Sequence, residues 1–146
     1  MKLNVFREAV GRLPMKRLKK LFDKLSSEEK KPGWSGEVNL IFTDDARIRS
    51  LNKQFRHIDK ATDVLAFTID QPESEDCVFG EVYVSVPTAL RQAERCGATQ
   101  ADELVRLSCH GFLHLFGYDH GKKRDAEQMN ALEEYYLSYS KRTDNG

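Results

Sequence analysis

No stretch of the 146 residues approaches the roughly 20 consecutive apolar positions that a membrane span requires. The first 20 residues also lack the apolar core of a secretory signal, because basic side chains alternate there with Glu8 and Pro14. Cysteine is scarce and odd in number: Cys77, Cys96 and Cys109 have no CxxC spacing, which argues against a disulfide framework and for a reducing compartment. With four prolines and nine glycines there is no linker, repeat or low-complexity tract. One domain over residues 1–146, cytoplasmic, with a frayed tail at 141–146, is the expectation. Net charge is also missing, at 23 basic against 23 acidic residues, so the total gives no reason to expect a polyanion. The distribution is less even. Residues 1–60 hold 15 Lys and Arg against 8 Asp and Glu, and the remainder reverses that ratio. Such asymmetry fits either a basic face for a polyanion or helix faces whose charges mix in three dimensions.

Hydrophobic spacing predicts a strand at Leu3–Phe6 and an amphipathic helix carrying Leu18, Leu21, Phe22 and Leu25. A strand at Glu37–Phe42 follows, then a helix capped by Thr43 with Ile48, Leu51 and Phe55 as its buried stripe. Val64–Ile69, almost wholly apolar, suits a strand covered on both faces. After an acidic loop at 70–76 comes a strand over Val78–Ser85, with Val78, Val82 and Val84 opposite Phe79, Glu81 and Tyr83. Ser85 and Pro87 open a helix ending near Gly97, and Thr99 with Asp102 forms a capping box for the next. A last helix over about 124–140 packs Met129, Leu132 and Tyr136. The fold class is therefore α/β (α+β): a single domain with a four-stranded mixed sheet packed against about five helices.

Three of the four histidines stand within eleven residues, at His110, His114 and His120. Positions i and i+4 share one helix face, so His110 and His114 aim two imidazoles at one point. Gly117 permits the helix to stop and turn back, returning His120 as a third ligand. Three protein ligands with one position left open is the pattern of catalytic zinc, and imidazole also suits nickel. The site would lie at the C-terminal end of a central helix. Cys109 projects about 100° from His110 and reads as a core thiol. Asp119 either orients an imidazole by accepting its distal N–H or caps a turn. Tyr118 reads as a packing residue with a hydroxyl handle. The spacing HxxxHxxGxxH also occurs in metzincin peptidases, where a glutamate next to the first histidine is the general base. Gly111 stands at that position here and instead suits close approach of a neighbouring strand or of substrate backbone.

The run His110–His120 resembles the HGxLHLxGYDH signature of the YbeY family of metal-dependent ribosomal RNA maturation endoribonucleases. Leu51-Asn52-Lys53-Gln54-Phe55-Arg56, with Asp59 and Thr62-Asp63-Val64-Leu65-Ala66-Phe67, is similar to that family's LNxxYRxxDxPTDVLSF segment, and Phe79-Gly80-Glu81-Val82 resembles its GD[IV] strand. Departures fall at Phe55, Ala61, Ala66 and Glu81, none of them a histidine. The resemblance implies a single-strand-specific endoribonuclease acting in small-subunit ribosomal RNA maturation and ribosome quality control. It implies one Zn²⁺ (or another divalent ion such as Ni²⁺) on His110, His114 and His120, with Arg56 as a functional residue beside it. A guanidinium forks onto phosphate oxygens, which is the role assigned to Arg56; a surface ion pair with Asp59 is the competing role. Arg47, Arg49, Lys53 and Lys60 are candidate RNA contacts, and Phe55 or Tyr83 a candidate for base stacking. His57, outside any ligand spacing, is a phosphate contact or a bystander. Ribosomal or ribosome-associated proteins are candidate partners. Two rival readings stand beside this one: a metallohydrolase of another class, including a degenerate peptidase, and a non-catalytic assembly factor with a structural metal. Whether water or the 2′-hydroxyl attacks is open.

Overall fold

The computed structural model describes residues 1–8, 11–69, 78–118 and 123–141. In chain order the elements are β1 (Lys2–Arg7), α1 (Met15–Glu29), β2 (Glu37–Thr43), α2 (Asp45–Arg56), β3 (Val64–Thr68), β4 (Val78–Ser85), α3 (Val86–Cys96), α4 (Gln100–Leu115) and α5 (Lys123–Lys141). The strands form one mixed sheet in the order β1-β2-β4-β3, parallel except for the antiparallel β3–β4 pair. The predicted α+β class and the number of elements hold among the described residues. None of the described helices is long and apolar enough to cross a membrane.

Alternation along the strands sends Val38, Leu40, Phe42, Val82 and Val84 to one face, where they bury against Leu18, Leu21 and Phe22 of α1 and Leu107 and Phe112 of α4. Ile41, Leu65 and Tyr83 face the other way and meet Ile48 and Leu51 of α2. The sheet thus lies between α2 and a layer in which α4 is central, flanked by α1, α3 and α5. Burying this much aliphatic and aromatic surface is the main stabilising term.

Five local expectations are corrected. Asp44, not Thr43, caps α2: its carboxylate accepts from the Arg47 N–H at 2.8 Å. Phe55 is not in the buried stripe but 58% exposed; Asn52 is buried instead and donates its amide to the Lys60 carbonyl at 2.9 Å. Among the described residues β3 is an edge strand paired with β4 alone, and its faces against α4 and α2 are only partly covered: Leu65 is buried, whereas Val64, Ala66 and Phe67 are half-buried. A β-bulge where Glu37 and Val38 face β4 moves Phe79 out of simple alternation into the same core cluster as Val82. Thr99 caps α4 through the Asp102 N–H as predicted, but the Asp102 carboxylate pairs with Arg17 of α1 at 2.8 Å. The predicted 70–76 loop and 141–146 tail lie outside the described residues, except for Lys141 at the end of α5.

The start of α2 is pinned to the β4–α3 corner. Asp45 accepts from the Ser85 hydroxyl at 2.5 Å, the Thr88 hydroxyl at 2.6 Å and the Arg91 guanidinium at 2.8 Å. Partial burial opposes its ionisation, but the two hydroxyls and Arg91 prevail and hold its pKa down to about 2. A depressed carboxyl pKa stabilises the fold above the unfolded value near 4 and loses that contribution as pH falls towards 2. Asp45→Asn should cost about 1–2 kcal/mol at neutral pH after allowance for solvent screening. The gap from wild type should close between pH 4 and pH 2 in acid-unfolding curves.

Candidate metal centre and active site

His110 and His114 follow one another on the last two turns of α4, which stops at Leu115; Gly117 then takes a φ of +104°. Their Nε2 atoms approach to 3.1 Å and the rings meet edge to face at 4.7 Å between centroids. Two nitrogens each 2.0–2.1 Å from one tetrahedral ion would stand roughly 3.3 Å apart. The observed pair is already close to that separation.

Glu133 on α5 fixes one of the rings. Its Oε1 lies 2.6 Å from His110 Nδ1, and a carboxylate oxygen can only accept, so Nδ1 carries the hydrogen. In the neutral ring the lone pair then lies on Nε2, the nitrogen that faces His114. This is the tautomer a metal-ligating imidazole needs, supplied by a carboxylate partner of the kind that commonly orients such ligands. Sequence reading missed Glu133. The available signal was a carboxylate at the 129/133/136 spacing, on the same face of α5 as buried Met129 and Tyr136.

The placement of α4 against the sheet explains why position 111 is glycine. A Cβ there would lie 2.4 Å from Val82 Cγ1 and 3.2 Å from Val64 Cγ2. The predicted close approach of a neighbouring strand is therefore present, and it seats both histidines beside β3. Cys109, next to His110, is fully buried in the core; burial pushes its thiol pKa upward, so it is a poor thiolate ligand.

The imidazoles border a cavity of about 500 Å³, which also takes in Arg56, Asp63, Ala66, Gly117 and Tyr118. Arg56 arrives from the end of α2, donating from Nη2 to the Ala66 carbonyl at 3.2 Å and lying 5.6 Å from the Phe67 ring centroid. Asp59, the rival partner for Arg56, is held instead by Arg49 at 2.8 Å. Asp63 enters the cavity with its carboxylate oxygens accepting from Thr62 (3.4 Å) and Gln92 (3.3 Å). Asp63 stands in the second sequence block, whose pattern alone assigns it no role. Tyr118 lines the cavity and donates to Glu29 at 2.5 Å; that hydrogen bond, with partial burial, raises its pKa to about 12.

Of the other predicted residues, Arg47 stands 3.8 Å from Glu8, and the exposed Lys53 and Lys60 lie along and just after α2. None of Arg47, Arg49, Lys53 and Lys60 lines the histidine cavity. The lysines of α1 border a separate hollow with Tyr139. His57 caps α2 in the left-handed conformation, φ 61°, with its N–H on the Asn52 carbonyl. Asp119 and His120 lie outside the described residues, and among those described no group of three His, Cys, Asp or Glu is placed around one point. His110 and His114 supply the chemistry of two metal ligands, and the residues present fit such an ion.

The family model for Endoribonuclease YbeY matches residues 6–141 of this chain. The chain belongs to the YbeY family. Among its relatives, Endoribonuclease YbeY of Desulforamulus reducens is 44% identical over 120 residues, covering 78% of each chain. The Persephonella marina protein of the same name is 41% identical over 114 residues, covering 73% of this chain and 74% of its own. The solution structure of TM1509 from Thermotoga maritima is similar at a TM-score of 0.62 and 31% identity, covering 94% of this chain and 88% of that one. YbeY membership accounts for both sequence blocks: residues 110–118 of the first form the end of α4 and the turn after it, and the second runs from α2 into β3, and both line the cavity.

Proposed function

We propose that this protein is a metal-dependent endoribonuclease that cuts single-stranded RNA, with unpaired segments of small-subunit ribosomal RNA as its substrate in maturation and quality control of ribosomes. The observation that carries the reading is the pair of Nε2 atoms 3.1 Å apart, oriented by Glu133, in a cavity shared with Arg56. His110 and His114, joined by His120, are the ligands, and Zn²⁺ is the default ion for a three-imidazole set that also accepts Ni²⁺. A bound divalent ion would supply Lewis acidity for phosphodiester cleavage. Arg56 binds the scissile phosphate and offsets charge that grows on its non-bridging oxygens. Asp63 is the carboxylate among the described cavity residues and the candidate to take or return a proton. Asp119 is a second orienting carboxylate for the ligand set, and Arg47, Arg49, Lys53 and Lys60 form a basic approach for the RNA backbone. A peptidase role is disfavoured by Gly111, where β4 leaves no space for the glutamate that role requires.

Elemental analysis of the purified protein should find one divalent transition ion per chain. The same preparation should cleave an unstructured RNA and leave an unstructured peptide intact. Chelation should abolish cleavage with the far-ultraviolet circular dichroism unchanged, and returning zinc should restore it. Cleavage of the peptide would favour the other metallohydrolase class. Unfolding on chelation would favour a structural ion.

A further inference from the structure

Phe55 is the most exposed of the large apolar side chains among the described residues, at 58%. It follows Gln54 and precedes Arg56 at the end of a helix whose packed side is Ile48, Leu51 and Asn52. Its ring leans on half-buried Phe67, 5.4 Å away between centroids at 59°, and Phe67 in turn meets buried Tyr83 at 6.1 Å. The three rings form a ledge running from the end of α2 over β3, an edge strand of the sheet, to β4. Beside the ledge is a second hollow of about 520 Å³, lined in part by Arg47, Gln54, Phe55, Phe67, Thr68 and Glu81.

This hollow and the histidine cavity lie on opposite faces of one strand. Val64, Ala66 and Thr68 of β3 turn towards α4 and the histidines, whereas Leu65 and Phe67 turn towards α2. Thr68 borders both. Arg56 spans the edge between them, bonded to the Ala66 carbonyl and lying over the Phe67 ring. Glu81, the carboxylate of the hollow, accepts from the Asn39 amide at 3.2 Å and the Tyr83 hydroxyl at 3.3 Å, while Arg47 brings a positive charge.

An exposed aromatic beside a cation is how proteins hold single strands: the cation takes a phosphate and the ring takes a base. We infer that Phe55, backed by Phe67, is the stacking platform for one unpaired nucleobase of the RNA whose neighbouring phosphate Arg56 presents to the histidine cavity. The inference rests on the endoribonuclease reading and adds a base-binding subsite to it. Every base has a π-face, so the platform selects for unpaired bases and tolerates any of the four. A duplex, with its bases stacked on one another, offers no face to it.

The test uses the intact metal-loaded protein and unstructured RNA oligomers in which single positions around the cut are made abasic. For the wild type, one abasic position should raise KM about 5- to 150-fold, the range expected for loss of one stacked base. Phe55→Ala should raise KM by a similar factor on the intact RNA, with wild-type metal content and melting temperature, and should be insensitive to that abasic position. Phe55→Trp should keep the wild-type pattern. If Phe55→Ala and wild type show the same KM and the same abasic profile, the platform does not exist, and a ledge used for a protein partner would give that result. If the wild type cleaves no RNA at all, the endoribonuclease reading falls first and this subsite falls with it.

Discussion

Replacing Arg56 with alanine should lower cleavage of unstructured RNA about 10²–10³-fold, the usual effect of removing one charge-stabilising donor from a preorganised site. The bound ion should stay at one per chain. Arg56 shares the cavity with both imidazoles and is held from two sides, by the Ala66 carbonyl and by the face of Phe67. Its rival role as a surface ion pair with Asp59 is taken by Arg49. Arg56→Lys should recover only part of the activity, because an ammonium keeps the charge but not the planar fork that fits two phosphate oxygens. His114→Ala should give the complementary result: cleavage and the ion should be lost together, since one of the two facing nitrogens is gone. The pair of variants separates transition-state contact from ion retention. Full activity in Arg56→Ala would remove this side chain from the chemistry, and loss of the ion in that variant would make its role structural.

The element order was legible because each element carries its own signal: period-2 alternation in β2, the Leu18/Leu21/Phe22/Leu25 stripe in α1, Ser85 with Pro87 opening α3, and Gly97 closing it. The histidine face was legible for the same reason, since i and i+4 fix two ring positions without knowledge of the rest of the fold. What stayed hidden depends on contacts between distant segments. Glu133 is 23 residues from the ring it orients and looks like one more helix acid until α5 is packed on α4. Phe55 sits at the right spacing for a buried stripe, yet among the aromatic rings of the described residues its ring touches only half-buried Phe67 and otherwise meets solvent. β3 reads as covered on both faces because it is apolar, yet only Leu65 is buried; its place at an edge of the described sheet is set by pairing order, which local sequence does not encode. In each case local pattern identifies what a residue prefers, and tertiary placement decides what it meets.

Gly111 offers the sharpest test of that placement, because one methyl group should change sign in its effect according to its neighbour. In the wild-type background Gly111→Ala places a Cβ 2.4 Å from Val82 Cγ1 and 3.3 Å from Cγ2. Val82 is fully buried on β4, whose neighbours are β2 and β3, and its β-branched side chain has little rotamer freedom with which to yield. Alanine gains about 1 kcal/mol of helix propensity over glycine. Overpacking of this severity should exceed that gain, for a net loss of about 2 kcal/mol. In a domain of this size that is roughly 4–8 °C in melting temperature. As α4 backs away from the sheet, His110 and His114 move from the β3 wall and cleavage should fall as well. Val82→Ala alone removes two buried methyl groups and should cost about 2 kcal/mol by leaving a void. In that background the new methyl of Gly111→Ala enters the void, keeps the helix-propensity gain and should stabilise the protein. A double-mutant cycle would read this as a favourable coupling between positions 82 and 111. Equal destabilisation by Gly111→Ala in both backgrounds would mean that α4 and β4 do not meet there, and the histidines would lose the contact that sets them against the cavity.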